Sequence, residues 1–216
     1  MIKIQKFTFN PFQENTYVLY DETKACVIID PGCYDSLEEN ELDEFIKSKD
    51  LIPVKLLNTH GHIDHVLGNH FVASTYGVEI QGHENIIQQL ESIPTYSKMY
   101  GLDGYKMSPE PSTFLIEGDV IEFGNSRLEV LFCPGHAPDH IVFYSPEQNF
   151  VINGDVLFQG SFGRIDLPGG DFPTLKASIL DKMFKLPEET VVYTGHGGET
   201  TIGTEKESNP IHNMTF

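Results

Sequence analysis

The stretch from Thr59 to His70, THGHIDHVLGNH, constrains the chain more than any other, because it holds four of the nine histidines and an aspartate. Imidazole and carboxylate groups are the side chains that bind divalent zinc, iron and manganese. His60 and His62 are two residues apart, so at the end of an extended strand they point to the same side. Asp64 and His65 lie at the turn that follows, and their side chains can face a second metal position next to the first. The spacing therefore predicts two half-sites in series, each completed by ligands from distant segments.

Three later segments each place a metal-binding side chain beside a glycine, directly after a predicted strand. These side chains are His136 in CPGHAPDH, Asp155 in VINGDVLF and His196 in VVYTGHGG. Loops that leave strand ends suit converging ligands, because the sheet beneath holds them in place. The other histidines have no such setting, and we interpret them as hydrogen-bonded structural residues: His70, His83, His140 and His212.

The order of secondary-structure signals indicates a layered α/β protein. Apolar runs predict strands in both halves of the chain, and amphipathic spacing predicts helices at 36–48, 65–77 and 174–184. Strands, helix and strand recur in two halves, which is typical of helices packed outside paired sheets. The segment at about 84–112 begins with helical spacing and then mixes Pro, Gly, Tyr and Met without a period. We interpret it as an irregular, partly helical excursion within a single domain of residues 1–216.

Composition narrows the class of protein further. The formal net charge of −18 repels phosphate backbones, so nucleic acid is a poor partner. The chain has no apolar run of about 18 residues that could cross a membrane, and its start lacks the pattern of a signal peptide. The three cysteines have no CxxC spacing and indicate packing thiols in a reducing compartment. We therefore expect a cytoplasmic protein without nucleic-acid or membrane partners, and the sequence leaves its oligomeric state open.

Taken in order, the motifs THGHIDH, PGHAPDH, NGDVLF and TGHGGETTIGTEKESNP resemble those of the metallo-β-lactamase superfamily, and within it the glyoxalase II-like hydrolases. The resemblance spans roughly residues 10–210. It implies a four-layer αββα sandwich with the site at one edge of the two sheets. It also implies two neighbouring divalent metal ions. Zinc is the first expectation, and iron and manganese are also compatible with the donors.

The resemblance also assigns roles to individual residues. The implied ligands are His60, His62 and His136 for one ion, Asp64, His65 and His196 for the other, and Asp155 as the bridge. Asp64 and Asp155 are the two residues to which we assign a catalytic role. Asp30, in the IDPG turn, matches the family's aspartate that orients the ligands. Asp-Pro-Gly also forms a turn unaided, so both interpretations of Asp30 stay open.

The chemistry of such a site favours hydrolysis of an acyl bond. Two metal ions about 3.5 to 4 Å apart can share a water whose pKa falls from near 16 toward about 7, which supplies a bridging hydroxide as nucleophile. A thiolate, whose conjugate acid has a pKa of about 8.5, leaves unassisted, whereas an amide nitrogen needs protonation. The motifs carry no further marked general acid. The expected activity is therefore that of a thioesterase, and the resemblance points to a small glutathione-derived thioester such as S-lactoylglutathione.

Two features separate the chain from the two-domain glyoxalase II enzymes. Only 20 residues follow His196, so we expect the C-terminal helical domain that grips glutathione in those enzymes to be missing. Arg164, in GSFGRIDLPGGD, lies where those enzymes often place a basic residue on the glycyl part of glutathione. The resemblance thus implies that Arg164 binds substrate. An ion pair with Asp166 or Asp171 is the alternative interpretation.

Two other functions stay open at this point. Persulfide dioxygenases keep the ligand motifs but use one iron, held by the equivalents of His60, His62 or His136, and Asp155. Their segment after this aspartate reads close to GRTDF, and this chain has GRIDL. Oxygen uptake with glutathione persulfide distinguishes them from hydrolases. The third hypothesis is a non-catalytic metal-binding module, although such proteins generally add a flavin or rubredoxin-like domain.

Overall fold

Two mixed β-sheets pack face to face, and helices cover both outer surfaces. The computed structural model describes residues 1–214. The first sheet contains, in neighbour order, β1 Lys3–Phe9, β2 Glu14–Tyr20, β3 Ala25–Ile29, β4 Ile52–Leu57, β5 Ile80–Gly82 and β6 Thr113–Phe114. The second contains, in neighbour order, β14 Thr200–Thr201, β13 Val191–Thr194, β10 Phe150–Gly154, β9 Ile141–Ser145, β8 Ser126–Phe132 and β7 Val120–Phe123. A small separate hairpin consists of β11 Leu157–Phe158 and β12 Ser161–Phe162.

The helices lie outside this sandwich. They are α1 Ser36–Ser48, α2 Ile63–Val66, α3 Asn69–Tyr76, α4 Ile86–Met99, α5 Phe172–Asp181 and α6 Ile202–Ser208, with 3-10 turns at Met183–Lys185 and Pro210–His212. Helices α1 and α3 share an apolar cluster with the first sheet, and α5 and α6 share another with the second. The αββα layering expected from the sequence is therefore confirmed.

The core between the sheets explains why several strands have continuous apolar sequences. Leu19 and Ile29 of the first sheet are fully buried against the second, where Phe143 and Ile152 face them. Their neighbours in β2 and β3 point outward into the cluster that α1 and α3 cover. Strands covered on both faces need apolar residues at consecutive positions. Burial of each such side chain contributes roughly 1.5–3 kcal/mol to the stability of the fold. The packed strands therefore give a rigid support to the loops at their ends.

Two helices lie at or near their predicted positions. Helix α1 has the predicted bounds, and the Asp35 carboxylate caps it by accepting hydrogen bonds from the backbone N–H groups of Leu37 and Glu38 at 2.9 and 3.0 Å. Glu41 and Glu44 lie on its exposed side, while Leu42 and Ile46 are buried. Helix α5 begins slightly before the predicted 174–184 and gives way to a 3-10 turn.

The single helix predicted at 65–77 is wrong, because the structure has two short helices, α2 and α3. The break is at Gly68, whose N–H donates to the Pro31 carbonyl at 2.7 Å. A Cβ on Gly68 would lie 2.4 Å from the Cys33 sulfur, so the chain passes too close to the turn after β3 for a continuous helix. The predicted end is right, since Gly77 ends α3 with φ +66. The break leaves Asp64 and His65 on a single turn of helix.

The interpretation of the segment after residue 92 as aperiodic is also wrong, as far as Met99. Helix α4 continues through Pro94, which has no backbone N–H to donate. Ile86, Leu90 and Ile93 are buried against α2 and stabilise the helix. Tertiary packing thus outweighs the local cost of proline, which sequence periodicity does not reveal.

The three cysteines are free and buried. Cys26 and Cys33 lie in the outer cluster of the first sheet, and Cys133 lies in that of the second. Burial raises the pKa of the Cys26 thiol to about 12, and that of Cys133 likewise to about 12. These residues fill the core, as expected, and supply no nucleophile. Within residues 1–214, no helix is both long and apolar enough to cross a bilayer.

Candidate metal centre

The seven side chains singled out as ligands converge at one end of the sandwich, where loops from both sheets meet. His60 and His62 lie in the loop after β4, and Asp64 and His65 lie on helix α2. The other three follow strands of the second sheet: His136 comes after β8, Asp155 after β10 and His196 after β13. Backbone hydrogen bonds join the two sheets here, from Asn15 N to the Gly195 carbonyl at 2.7 Å and from Ile141 N to the Thr59 carbonyl at 2.9 Å. The site is therefore built on segments that packed strands hold in place.

His60, His62 and His136 form the first group of donors, with one donor atom from each within 4.8 Å of the others. The Nε2 atom of His60 is 3.1 Å from Nδ1 of His62. His136 Nδ1 lies 2.7 Å from the Arg164 carbonyl. A carbonyl oxygen only accepts hydrogen bonds, so Nδ1 of His136 carries the ring proton. Nε2 is then unprotonated, faces the other two histidines and can bind a metal ion through its lone pair. This Nε2 atom is buried and has no hydrogen bond within the described residues.

Asp64, His65 and His196 form the second group, again with donor atoms within 4.8 Å of one another. His196 Nε2 is 3.1 Å from Asp64 Oδ2, and His65 Nε2 is 3.8 Å from the same oxygen. The Phe12 carbonyl accepts a hydrogen bond from His196 Nδ1 at 3.1 Å, which turns Nε2 inward. His65 Nε2 is buried without a hydrogen bond among residues 1–214.

The Asp155 carboxylate lies between the two groups. Its Oδ1 is 3.5 Å from His65 Nε2, and its Oδ2 is 3.5 Å from both His136 Nε2 and His196 Nε2. Asp155 Oδ1 is buried and has no hydrogen-bond partner in the described part of the chain. Buried polar atoms without partners cost free energy, and here they face one another across the cluster. The donor set therefore fits divalent cations, with one carboxylate shared between two groups of ligands.

Burial and neighbouring charges set the protonation states of the cluster. Burial lowers the pKa of His62 to about 3 and that of His60 well below its ordinary value, so both rings are neutral at pH 7. Burial also lowers the pKa of His65, but the carboxylates of Asp155 and Asp64 outweigh it and raise this pKa well above the ordinary value. Burial raises the pKa of Asp155, but the nearby imidazoles hold it far below its usual range. The Asp155 carboxylate is therefore already ionised, as a metal ligand must be.

Asp30 lies directly behind His65 and Thr59. Its Oδ1 accepts from the backbone N–H of Thr59 at 2.7 Å, and its Oδ2 accepts from the Thr59 hydroxyl at 2.6 Å and lies 3.1 Å from His65 Nδ1. A ligand atom of Asp30 also lies within 4.8 Å of donor atoms of His60 and His65. Both its oxygens are already taken by these donors, so the contacts favour an orienting role over direct metal binding.

Glu14 also borders the cluster, and sequence reasoning missed it. It is fully buried at the start of β2, where its Oε2 accepts from the Thr16 hydroxyl at 2.9 Å and its Oε1 lies 3.9 Å from His65 Nδ1. Burial raises its pKa well above the ordinary value. The only available signal was an acidic residue opening a strand whose other positions are all uncharged.

The histidines interpreted as structural lie outside the two groups. His140 Nε2 accepts from the backbone N–H of Asp155 at 3.0 Å and so supports the central carboxylate from beneath. The His83 ring stacks on Phe132 at 4.4 Å, and His212 Nε2 lies 2.9 Å from the Lys206 carbonyl. For His83, His140 and His212 these contacts agree with structural roles, and the structural role of His70 stays a prediction.

A cavity of about 1000 Å³ opens over the cluster, and Asp64, Asp155 and His196 are part of its wall. Arg164 also borders it. The Arg164 guanidinium donates two hydrogen bonds of 2.7 Å to Asp166, so the ion pair considered as the alternative is formed. Arg164 is nevertheless exposed and close to the space where a substrate would lie, so the pair does not remove it from the cavity.

Replacing Gly195 with alanine should weaken metal binding. A Cβ there would lie 2.1 Å from Asp155 Oδ1 and 2.8 Å from the His65 ring, so one ligand must move. We expect a loss of affinity of about 10- to 100-fold, as when a ligand's supporting contact is removed. Gly198→Ala is the matched control, because its Cβ would meet only Gln159 Oε1 at 3.8 Å. Chelator-competition titration measures both, and equal affinities would contradict the crowding argument.

Comparisons with known proteins agree with this geometry. The sequence model of the metallo-beta-lactamase superfamily matches residues 9–196. The chain is 38% identical over 213 residues to the hydroxyacylglutathione hydrolase GloC of Haemophilus influenzae, covering 98% of this chain and 99% of that protein. The crystal structure of the BLEG-1 B3 metallo-beta-lactamase superposes with a TM-score of 0.87 at 35% identity, over 97% of this chain and 98% of that one. The crystal structure of TTHA1623 in a di-iron-bound form superposes with a TM-score of 0.85 at 38% identity, over 95% and 98%.

Proposed function

The chain belongs to the metallo-beta-lactamase superfamily, and from this premise we propose that it is a metal-dependent thioesterase of the hydroxyacylglutathione type. The observation that carries the proposal is the buried Asp155 carboxylate, which faces two groups of imidazole donors beneath a cavity of about 1000 Å³. The similarity to a hydrolase named for hydroxyacylglutathione supports the choice of substrate. Membership of the family by itself supports the more general class of metallo-hydrolase.

We propose that two divalent ions are held by the residues described above, with Asp155 shared between them. Bound ions of this kind supply Lewis acidity, which lowers the pKa of water and polarises a substrate carbonyl. The protein's own part is to fix the donors: the Arg164 and Phe12 carbonyls orient His136 and His196. Zinc is our first proposal, and the similarity to a protein solved with two irons makes iron the next one to test.

The decisive experiment starts from protein purified without added metal. Its metal content is measured, the protein is loaded separately with zinc, iron and manganese, and thiol release from S-lactoylglutathione is followed. Parallel assays with a β-lactam and with glutathione persulfide under oxygen test the two other chemistries found on this fold. Thiol release in a loaded form is the expected result. Oxygen uptake with one iron bound would support a persulfide dioxygenase instead, and no thiol release with any metal would overturn the proposal.

Arg164 offers a sharper test of the substrate, because its partner can be removed separately. If the guanidinium binds the glycyl carboxylate of glutathione, Arg164→Ala should raise KM about tenfold, since hydrogen bonds between charged groups exceed neutral ones. Asp166→Ala should lower KM, because it frees the guanidinium from its 2.7 Å ion pair. We expect kcat and the melting temperature to stay near wild type in both variants, since the pair is exposed. A rise of KM in both variants would show that the pair is only structural.

We further propose a cytoplasmic location and a small-molecule substrate without nucleic-acid or membrane partners. Three free buried thiols suit a reducing compartment, and a formal charge of −18 disfavours contact with phosphate backbones. Cell fractionation followed by detection of the protein tests the location.

A further inference from the structure

Helix α4 and the residue that follows it line one side of the cavity, with Gln88, Gln89 and Ser92 as the polar part and an apolar stripe beside them. Ile93, Tyr96 and Tyr100 border the cavity at positions i, i+3 and i+7, the spacing of one helix face. The Tyr100 ring meets the Phe12 ring edge-on, with centroids 5.4 Å apart and an interplanar angle of 88°. Phe12 lies in the loop between β1 and β2, so this contact joins two separate elements beside the metal centre.

The elements that carry the metal ligands hold this wall in position. Ile93 is 1% exposed and packs with Val66 of α2, the helix that carries two of the proposed ligands. The Phe12 carbonyl accepts from His196 Nδ1 at 3.1 Å, and the Phe12 N–H donates to Asn10 Oδ1 at 3.0 Å. The apolar wall and the metal centre therefore form one preorganised unit.

The described residues of helix α4 that border the cavity carry no charge. Of the described residues that line the cavity, Arg164 is the only lysine or arginine, and Asp166 already pairs with it. Tyr100 is 52% exposed, so a ligand that covers its ring removes apolar surface from water. This combination suits an uncharged apolar group.

We propose that Phe12, Tyr96 and Tyr100, supported from behind by the buried Ile93, bind the acyl group of the substrate, and that the protein prefers medium-chain or aryl acyl thioesters over those with small acyl groups. This inference rests on the proposed thioesterase function. The cavity volume of about 1000 Å³ lies at the upper end of the range of about 300–1,000 Å³ for small-molecule sites. In the reaction, the carbonyl–sulfur bond breaks and a bond from the carbonyl carbon to a water oxygen forms. The products are a carboxylic acid and a thiol, without oxidation or reduction.

The test compares S-acetylglutathione with S-hexanoylglutathione, so that the thiol part is constant. We expect kcat/KM for the hexanoyl substrate to be at least about tenfold higher, since each methylene in an apolar pocket changes specificity about 10-fold or more. Tyr100→Ala should lower this ratio at least about threefold, by the same loss of apolar contact, and Tyr100→Phe should retain it. Phe114→Ala is the control, because it removes a partly exposed ring on β6 that does not border the cavity.

The possible outcomes distinguish a failure of this inference from a failure of the proposed thioesterase function. Hydrolysis of both thioesters at equal kcat/KM overturns the acyl-binding wall and leaves the thioesterase proposal standing. If neither thioester is hydrolysed, the thioesterase proposal fails. The acyl-binding residues are then tested by calorimetry, which measures the affinity of the protein for two thioethers that cannot be cleaved. Tighter binding of S-hexylglutathione than of S-methylglutathione, lost in Tyr100→Ala, supports it. Equal affinities for the two thioethers overturn it.

Discussion

Replacing Asp155 with alanine is expected to abolish metal retention and thioester hydrolysis together. Within residues 1–214, the Asp155 carboxylate is the one that lies 3.5 Å from imidazole nitrogens of both donor groups, His65 on one side and His136 on the other. Without it, neither group keeps its shared anionic ligand, and the pKa of His65 loses the carboxylate that raises it most. We expect activity to fall by at least about a thousandfold, as when an essential member of a catalytic unit is removed.

The measurements are metal content after purification, thiol release, and the melting temperature with and without metal. A bound metal stabilises the wild type by mass action, so a chelator should lower its melting temperature and leave that of Asp155→Ala unchanged. The control is Asp119→Ala, which removes a surface carboxylate that accepts a hydrogen bond from Ile116 N at 2.9 Å. A variant without Asp155 that keeps both metal and activity would show that the shared carboxylate is not needed.

The layers and the convergence of the site could be predicted because the signals are local. His136, Asp155 and His196 each follow a strand, and strand ends from two packed sheets meet at one edge. The residues before them are apolar on consecutive positions, which indicates strands covered on both faces. Their role as metal ligands remains a prediction, since the structure describes the donors alone.

The features that the sequence did not reveal depend on contacts between distant segments. The break at Gly68 exists because the turn around Cys33 leaves no room for a side chain. Helix α4 continues through Pro94 because its buried face packs on α2, which carries Asp64 and His65. Glu14 lies beside His65 only because β2 runs alongside β3 and so reaches the site from far away in sequence. Each of these three features depends on contacts between segments far apart in the chain, so no local sequence pattern predicts it.

Replacing Asp30 with asparagine should weaken metal binding by about 10- to 100-fold, the usual effect of removing a group that orients a ligand. Asp30 Oδ2 lies 3.1 Å from His65 Nδ1 and accepts its hydrogen bond, so the ring proton is held on Nδ1 and Nε2 is the nitrogen that can bind metal. Asp30 Oδ1 accepts from the Thr59 N–H, whereas Oδ2 faces both the Thr59 hydroxyl and His65 Nδ1. An asparagine that keeps its oxygen on the Thr59 N–H therefore turns its NH₂ group toward His65. His65 Nδ1 would have to accept, which moves the ring proton to Nε2 and blocks the ligand.

This effect must be separated from a general loss of stability, because Asp30 is buried. Urea unfolding of the metal-free protein measures stability, and chelator competition measures affinity on the same preparation. Thr59→Ser is the matched control, since it keeps the hydroxyl that donates to Asp30 at 2.6 Å and leaves the carboxylate in place. At saturating metal, Asp30→Asn should recover most of its activity, because Asp30 acts on the ligand and not on the substrate. An affinity equal to wild type would mean that the His65 tautomer is fixed by its other carboxylate neighbours, and that Asp30 serves the IDPG turn alone.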